Sequence, residues 1–387
     1  SVVAGHTEVN KRDYSNWLGF SGASLWLLVG LLFALMSSIK LHAAGFLAQS
    51  PWLTYGRVYP ASLHILAYGF ASQAGIGLAL WLLARLSRST LYGARAAILS
   101  AFFWNFGVGL GLIGILAGQG TAHEWLEMPG YASALLFFSY LLMSVWAVVT
   151  FHFRRERQLY VSQWYLLAAL FWFPWIFSTA ELLLVHWPVR GTVQAVVSGW
   201  YAHNFFSLWL TPIGLAAIFY FIPKILNRPL HSRYLAIFGF WMLVFLGGWG
   251  GLSAGAPVPR WVTSAGIVAG VLMFIPVLAV ALNWHWTLAG NYEKAWREPV
   301  LRFVLLGAAG FLLSSVLAGA GALRTVNTLT QLTLFKIGVT SLQLYGFFGL
   351  VLAGGIYYVV PRLTQREWPA PRLISFHFWA GSTGVVL

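Results

Sequence analysis

From residue 17 onward the chain alternates apolar stretches of about 20 residues with short polar connectors. About 20 helical residues rise about 30 Å, the thickness of the hydrocarbon core of a bilayer. Such runs fall at 17–39, 61–84, 94–119, 131–151, 159–184 and 197–223. They continue at 232–253, 262–285, 300–322 and 334–360, and another begins near 371. The pattern predicts an all-α integral membrane protein with eleven spanning helices. The eleventh run reaches the last residue, Leu387, so a twelfth helix is expected beyond it. A helix is the expected form of each run, because every backbone N–H and C=O must be paired within lipid.

The ends of the runs repeat. The sixth ends Tyr220-Phe221-Ile222-Pro223-Lys224 and is followed by Phe240-Trp241. The tenth ends Tyr358-Val359-Val360-Pro361-Arg362, followed by Phe378-Trp379, and the second ends Leu82-Leu83-Ala84-Arg85, followed by Phe103-Trp104. The Phe-Trp pairs recur after 137 and 138 residues, the length of a four-helix unit used three times. The expected architecture is a single domain over residues 1–387, a bundle of three pseudo-symmetric four-helix arcs. Helices 2, 6 and 10 are then equivalent, and His64, His203 and Ser341 hold matching positions.

Composition sharpens this picture. The chain is 59% hydrophobic and 8% charged with a mean hydropathy of +0.75, which excludes a water-soluble domain of this length. It has no cysteine, so disulfides, Cys-based zinc sites and a covalently attached c-type haem are excluded. The net charge of +14 does not point to nucleic acid, because the basic residues sit between apolar runs. Counted by alternating sides, 17 Lys and Arg fall on one side and 6 on the other, namely Lys40, Arg57, Arg190, Arg260, Arg324 and Lys336. The positive-inside rule then places the N-terminus in the cytoplasm. The expected location is a bacterial inner membrane, crossed many times and in contact with lipid. The first 16 residues are polar and show no signal-peptide pattern, so the first apolar run is read as a membrane helix.

Ionisable side chains inside apolar runs are costly and mark candidate sites. His203 lies in Trp200-Tyr201-Ala202-His203-Asn204, in the outer third of the sixth run, and His64 lies early in the second. Each has a functional reading as a metal or haem ligand and a structural one as an imidazole hydrogen-bonded inside the bundle. Glu181 in the fifth run reads as a protonated or paired structural carboxyl, with proton conduction as the alternative. The glycines at 247, 248, 250 and 251 read as a site of close approach. The remaining histidines stand near helix ends and show no ligand spacing.

The Trp200–Asn204 motif opening a sixth helix, in a bundle of threefold pseudo-symmetry, resembles the catalytic subunit of C-family, cbb-type haem-copper cytochrome c oxidases. Phe221-Ile222-Pro223-Lys224, Arg228-Pro229, Glu298-Pro299-Val300-Leu301-Arg302-Phe303 and Arg324-Thr325-Val326-Asn327 extend the likeness over residues 55–380. The resemblance implies two haems and a copper held by histidines of helices 2, 6, 7 and 10, with Arg324 and Asn327 anchoring haem propionates. This chain departs from that pattern. Val339-Thr340-Ser341 stands at the family's His-Val-His, Leu252-Ser253-Ala254 at its Pro-His-His, and Gly247 at its redox tyrosine. On helix 2, Ser62 holds the ligand register and His64 is displaced by two residues. Only His203 matches a ligand position.

The reading that follows is a catalytically silent paralogue without haem or copper. It would be a scaffold or docking subunit for a membrane-anchored c-type cytochrome and other respiratory subunits. The enzymatic alternative is a divergent oxidase or nitric oxide reductase that keeps haem b through His64 or His203. A transporter reusing the emptied cavity is a third.

Overall fold

The computed structural model describes residues 2–89 and 93–387, and the side chains of residues 2–18 and of Ala94 lie outside that description. Lys11 and Arg12 of the charge count fall there. Every apolar run lies on a helix, and there is no β-strand among the described residues. The helices are α1 Val2–His42, α2 Tyr55–Leu86, α3 Arg95–Leu116, α4 Gly130–His152, α5 Val161–His186 and α6 Thr192–Leu226. They continue as α7 Arg233–Trp249, α8 Arg260–Leu288, α9 Pro299–Ala322, α10 Phe335–Thr364 and α11 Pro371–Val386. Among the described residues, nine are long and apolar enough to cross a membrane, whereas α7 is shorter.

The ends differ from the sequence reading for identifiable reasons. Pro223 and Pro361 do not end their helices. Each helix runs three residues further, and a left-handed residue, Asn227 or Gln365 at φ 53°, stops it. A proline in the last turn removes one N–H without stopping the chain from coiling, whereas an αL residue turns the backbone off the axis. Helix α7 stops at Trp249 rather than 253, because Gly251 adopts φ 107°, open to glycine alone, and Pro257 and Pro259 follow.

Three helices share an internal irregularity. π-helical turns occupy Ile65–Ser72 in α2, Phe205–Leu210 in α6 and Leu342–Gly349 in α10. They begin one or two residues after His64, His203 and Ser341. The left-handed residues Arg88, Asn227 and Gln365 each stand 24 positions beyond the same three. These three spans are also the most enclosed, with 100%, 89% and 72% of their apolar windows buried against 17–44% for the others. A helix enclosed by protein can carry widened π turns, because neighbours re-pair the displaced backbone groups.

By internal contacts the chain forms two units, residues 1–157 with 173–202, and residues 158–172 with 203–387. In the first, α1 packs on α2 and α3, and α3 on α4. Its core is a chain of rings, Trp104, Tyr140, Phe173 and Phe177, with Tyr201 and Tyr68 each packed on Phe177, at centroid separations of 4.5–6.4 Å. In the second, α7 packs on α8 and α9 on α10, around Phe219, Trp284, Phe311 and Phe347.

Candidate functional site

The first unit contains His64. The π turn that follows it lies on the fully buried part of α2, and the ring is turned onto α3, where its Nε2 lies 3.1 Å from the Val108 carbonyl oxygen. A carbonyl only accepts, so Nε2 carries the hydrogen. The fit is close: a Cβ on Gly111 would lie 2.4 Å from that nitrogen. Nδ1 is buried with no hydrogen-bond partner among the described residues.

One turn along α2, the Tyr68 hydroxyl lies 2.5 Å from both the Tyr201 hydroxyl and the Trp125 carbonyl oxygen. Both tyrosines are fully buried. The Tyr68 ring lies beside His64 with a centroid separation of 5.5 Å, and Trp104 Nε1 donates to the Tyr68 carbonyl at 2.9 Å. Glu127, in the connector between α3 and α4, accepts from the Trp125 N–H at 2.9 Å through one carboxylate oxygen. Burial pushes its carboxyl up to about 8, against the opposing pull of backbone N–H donors. Arg57 donates to the Leu116 carbonyl at 2.8 Å. Glu181 is buried, and His186 Nδ1 lies 3.8 Å from one of its oxygens.

The second unit contains His203. Its Nε2 donates to the carbonyl of Gly247, at the end of α7, at 2.8 Å, and Ser207 Oγ donates to the same oxygen at 2.6 Å. The ring lies flat against Gly250, where a Cβ would come within 2.4–2.8 Å of three ring atoms. Asn204 Nδ2 reaches the Gly248 carbonyl at 3.4 Å. The glycine run therefore brings α7 backbone onto the His203 side chain.

Where the resemblance would require two more copper imidazoles, the chain has left the helix. Ser253 Oγ donates to Asn327 Oδ1 at 2.9 Å, and Asn327 Nδ2 reaches the last-turn carbonyl of Gly321 in α9 at 3.4 Å. Arg324 donates to Ser264 on α8 at 3.0 Å. The structure thus gathers His203, Arg324 and Asn327 in one unit but ties each to different partners, and places His64 in the other. No cluster of three His, Cys, Asp or Glu with metal-binding spacing occurs among the described residues.

These side chains do not fit copper or the family's high-spin haem. Copper needs several converging imidazoles, and His203 has its Nε2 committed to a carbonyl. On α10, Val339-Thr340-Ser341 stand at the ligand positions that the resemblance implies, and the helix packs closely on α9 and α6. A Cβ on Gly310 of α9 would lie 2.1 Å from the Gly346 carbonyl, and one on Gly214 of α6 would lie 2.5 Å from the Phe347 ring.

Tyr68, Glu127 and Gln73 were not singled out by sequence reasoning. Tyr68 gives no signal in an aromatic-rich chain, and Glu127 sits in a connector where carboxylates are ordinary. Gln73 did offer one, an amide in the middle of an apolar run.

Comparison with known proteins places this geometry in context. The profile of the family described as Cytochrome C and Quinol oxidase polypeptide I matches residues 17–387. A cytochrome c oxidase subunit 1 homolog of Azorhizobium caulinodans is 26% identical over 384 residues, covering 94% of this chain and 68% of the relative. The Cbb3-type cytochrome c oxidase subunit CcoN1 of Stutzerimonas stutzeri is 27% identical over 379 residues, covering 94% and 78%. A haem-copper terminal oxidase dimer solved by cryo-electron microscopy shares the fold at a TM-score of 0.68. It has 12% identity, over 90% of this chain and 68% of that one.

Proposed function

This chain belongs to the family Cytochrome C and Quinol oxidase polypeptide I, as a multi-pass, subunit I-like membrane protein akin to the cbb3 type, and we propose that it is a catalytically silent member. In this reading it binds neither haem nor copper. It serves as a scaffold or docking subunit in a respiratory electron-transfer complex, beside a membrane-anchored c-type cytochrome or an active oxidase. It lies in a bacterial inner membrane with its N-terminus cytoplasmic, as eleven helices of a twelve-helix, three-arc bundle. The recurrence of π turns and left-handed residues in α2, α6 and α10 supports the threefold repeat.

The observation that carries the silent reading is the hydrogen bond from His203 Nε2 to the Gly247 carbonyl, with Gly250 under the ring and Ser253-Ala254 at the copper-pair positions. The second reading, a divergent oxidase or nitric oxide reductase with haem b, draws on one feature: His64 Nδ1 has no protein partner among the described residues.

A reduced-minus-oxidised optical spectrum, pyridine haemochrome assay and copper analysis of the purified chain separate the two. The expected result is no b-type signal and no copper. One haem b per chain would overturn the silent reading, and its loss in His64→Leu would identify the ligand.

A further inference from the structure

A cavity in the first unit belongs to neither histidine pocket. It lies between α1, α2, α3 and α4, lined by Gly19, Gly77, Ala97, Ala101, Trp104 and Met143, with Gln73 among its walls. Its small walls and its rings are apolar. Gln73 is the exception. It is 5% exposed, and neither its Oε1 nor its Nε2 meets a hydrogen-bonding partner among the described residues. The position is also deep: Gln73 stands 16 residues from Arg57 and 12 from Arg85, about 24 and 18 Å along the helix.

A second observation points to the same place. At Gly22 of α1, a Cβ would lie 2.7 Å from Gln73 Nε2 and 3.0 Å from Asn105 Oδ1, so the two amides converge where α1 has no side chain. Asn105 is held there, accepting from Trp26 Nε1 at 2.7 Å and donating to the Ala101 carbonyl at 2.7 Å. Gln73 is the group left with donors and an acceptor to satisfy, and lipid supplies neither.

The size of the cavity decides the ligand. Its free volume is about 30 Å³. A water needs about 10–15 Å³ on this measure, whereas a cavity that takes up benzene measures roughly 150 Å³. We propose that this cavity is a hydration site, holding about two water molecules against the Gln73 amide inside the membrane core. A donor-acceptor pair on one amide suits water, which can accept from Nε2 and donate to Oε1. Gly19, Gly77, Ala97 and Ala101 are the small residues that leave the room.

Radiolytic hydroxyl labelling of the full chain in lipid nanodiscs tests this, because radicals formed from bound water oxidise the side chains beside it. Met143 lines the cavity, and Met128, fully buried elsewhere, is the dry control. Met143 is expected to oxidise at least fivefold faster than Met128, and to fall to the Met128 rate in Gln73→Leu. Gly22→Ala, which pushes a methyl against the Gln73 amide, is expected to lower the Met143 rate as well, and serves if Gln73→Leu does not fold. A Met143 rate no higher than that of Met128 in the unmodified chain overturns the proposal. So does a rate unchanged by both substitutions, which would assign the oxidation to solvent or lipid.

Discussion

The two histidines each stand just before a π turn of their helix, yet their surroundings are built differently. His64 is fully buried, with its ring against the regular helix α3 and an aromatic side chain beside it. His203 lies partly buried at a place where α7 has unwound into glycines, and it shares its carbonyl acceptor with Ser207. In the first unit, side chains close around the imidazole. In the second, backbone moves onto it. An imidazole without companions can therefore be accommodated in two ways, and the choice depends on whether the facing helix is rigid or broken.

The comparison can be sharpened most strongly at Glu127, the buried carboxyl of the first unit. Its ordinary value is 4.5, and the fold holds its proton up to about 8. Between those values the native state binds more protons than the unfolded chain. Stability therefore falls as pH rises from 4.5 to 8 and levels off above, by about 1.4 kcal/mol per pH unit at most. Thermal unfolding in detergent from pH 5 to 9 should show this slope. Glu127→Gln, which keeps an acceptor for the Trp125 N–H, should flatten it; a slope that persists in that variant assigns the effect elsewhere.

Next come the glycines under each ring. Gly111→Ala drives a methyl into the fully buried His64 ring, and is expected to cost about 3 kcal/mol. Gly250→Ala makes the same kind of collision with His203, but beside an irregular segment that can shift. Its expected cost is about 1 kcal/mol. Equal losses in melting experiments would remove the contrast between a rigid and a yielding pocket.

The smallest single effects concern the shared acceptor. His203→Leu and Ser207→Ala should each cost about 0.5–1 kcal/mol, since the other donor still serves the Gly247 carbonyl. The double variant leaves that oxygen without either side-chain donor and should lose more than the two single losses together. Simple additivity would mean that the carbonyl is served by something else.

Much of the fold was legible before any coordinates, because hydrocarbon-length apolar runs admit one structure and each of them lies on a helix. His203 was visible for the same reason, as a polar group where polarity is expensive. The pairing of Tyr68 with Tyr201 was not legible, since it joins residues 133 positions apart on different helices. The sixth and tenth helices run past the ends of their apolar runs at 223 and 360. The stop comes from left-handed backbone at Asn227 and Gln365, four residues beyond each helix's last-turn proline.

The sequence by itself determined the medium of this protein, the positions of its helices and the residue types that stand where the resemblance implies metal ligands. These follow from local quantities: hydropathy, spacing and side-chain chemistry. Only the tertiary structure decided which atoms meet His64, His203 and Gln73. A hydrogen bond is a matter of tenths of an ångström between chain segments far apart in sequence. Helix rotation, a π turn or one glycine at a crossing sets that distance, and none of these leaves a periodic trace along the chain.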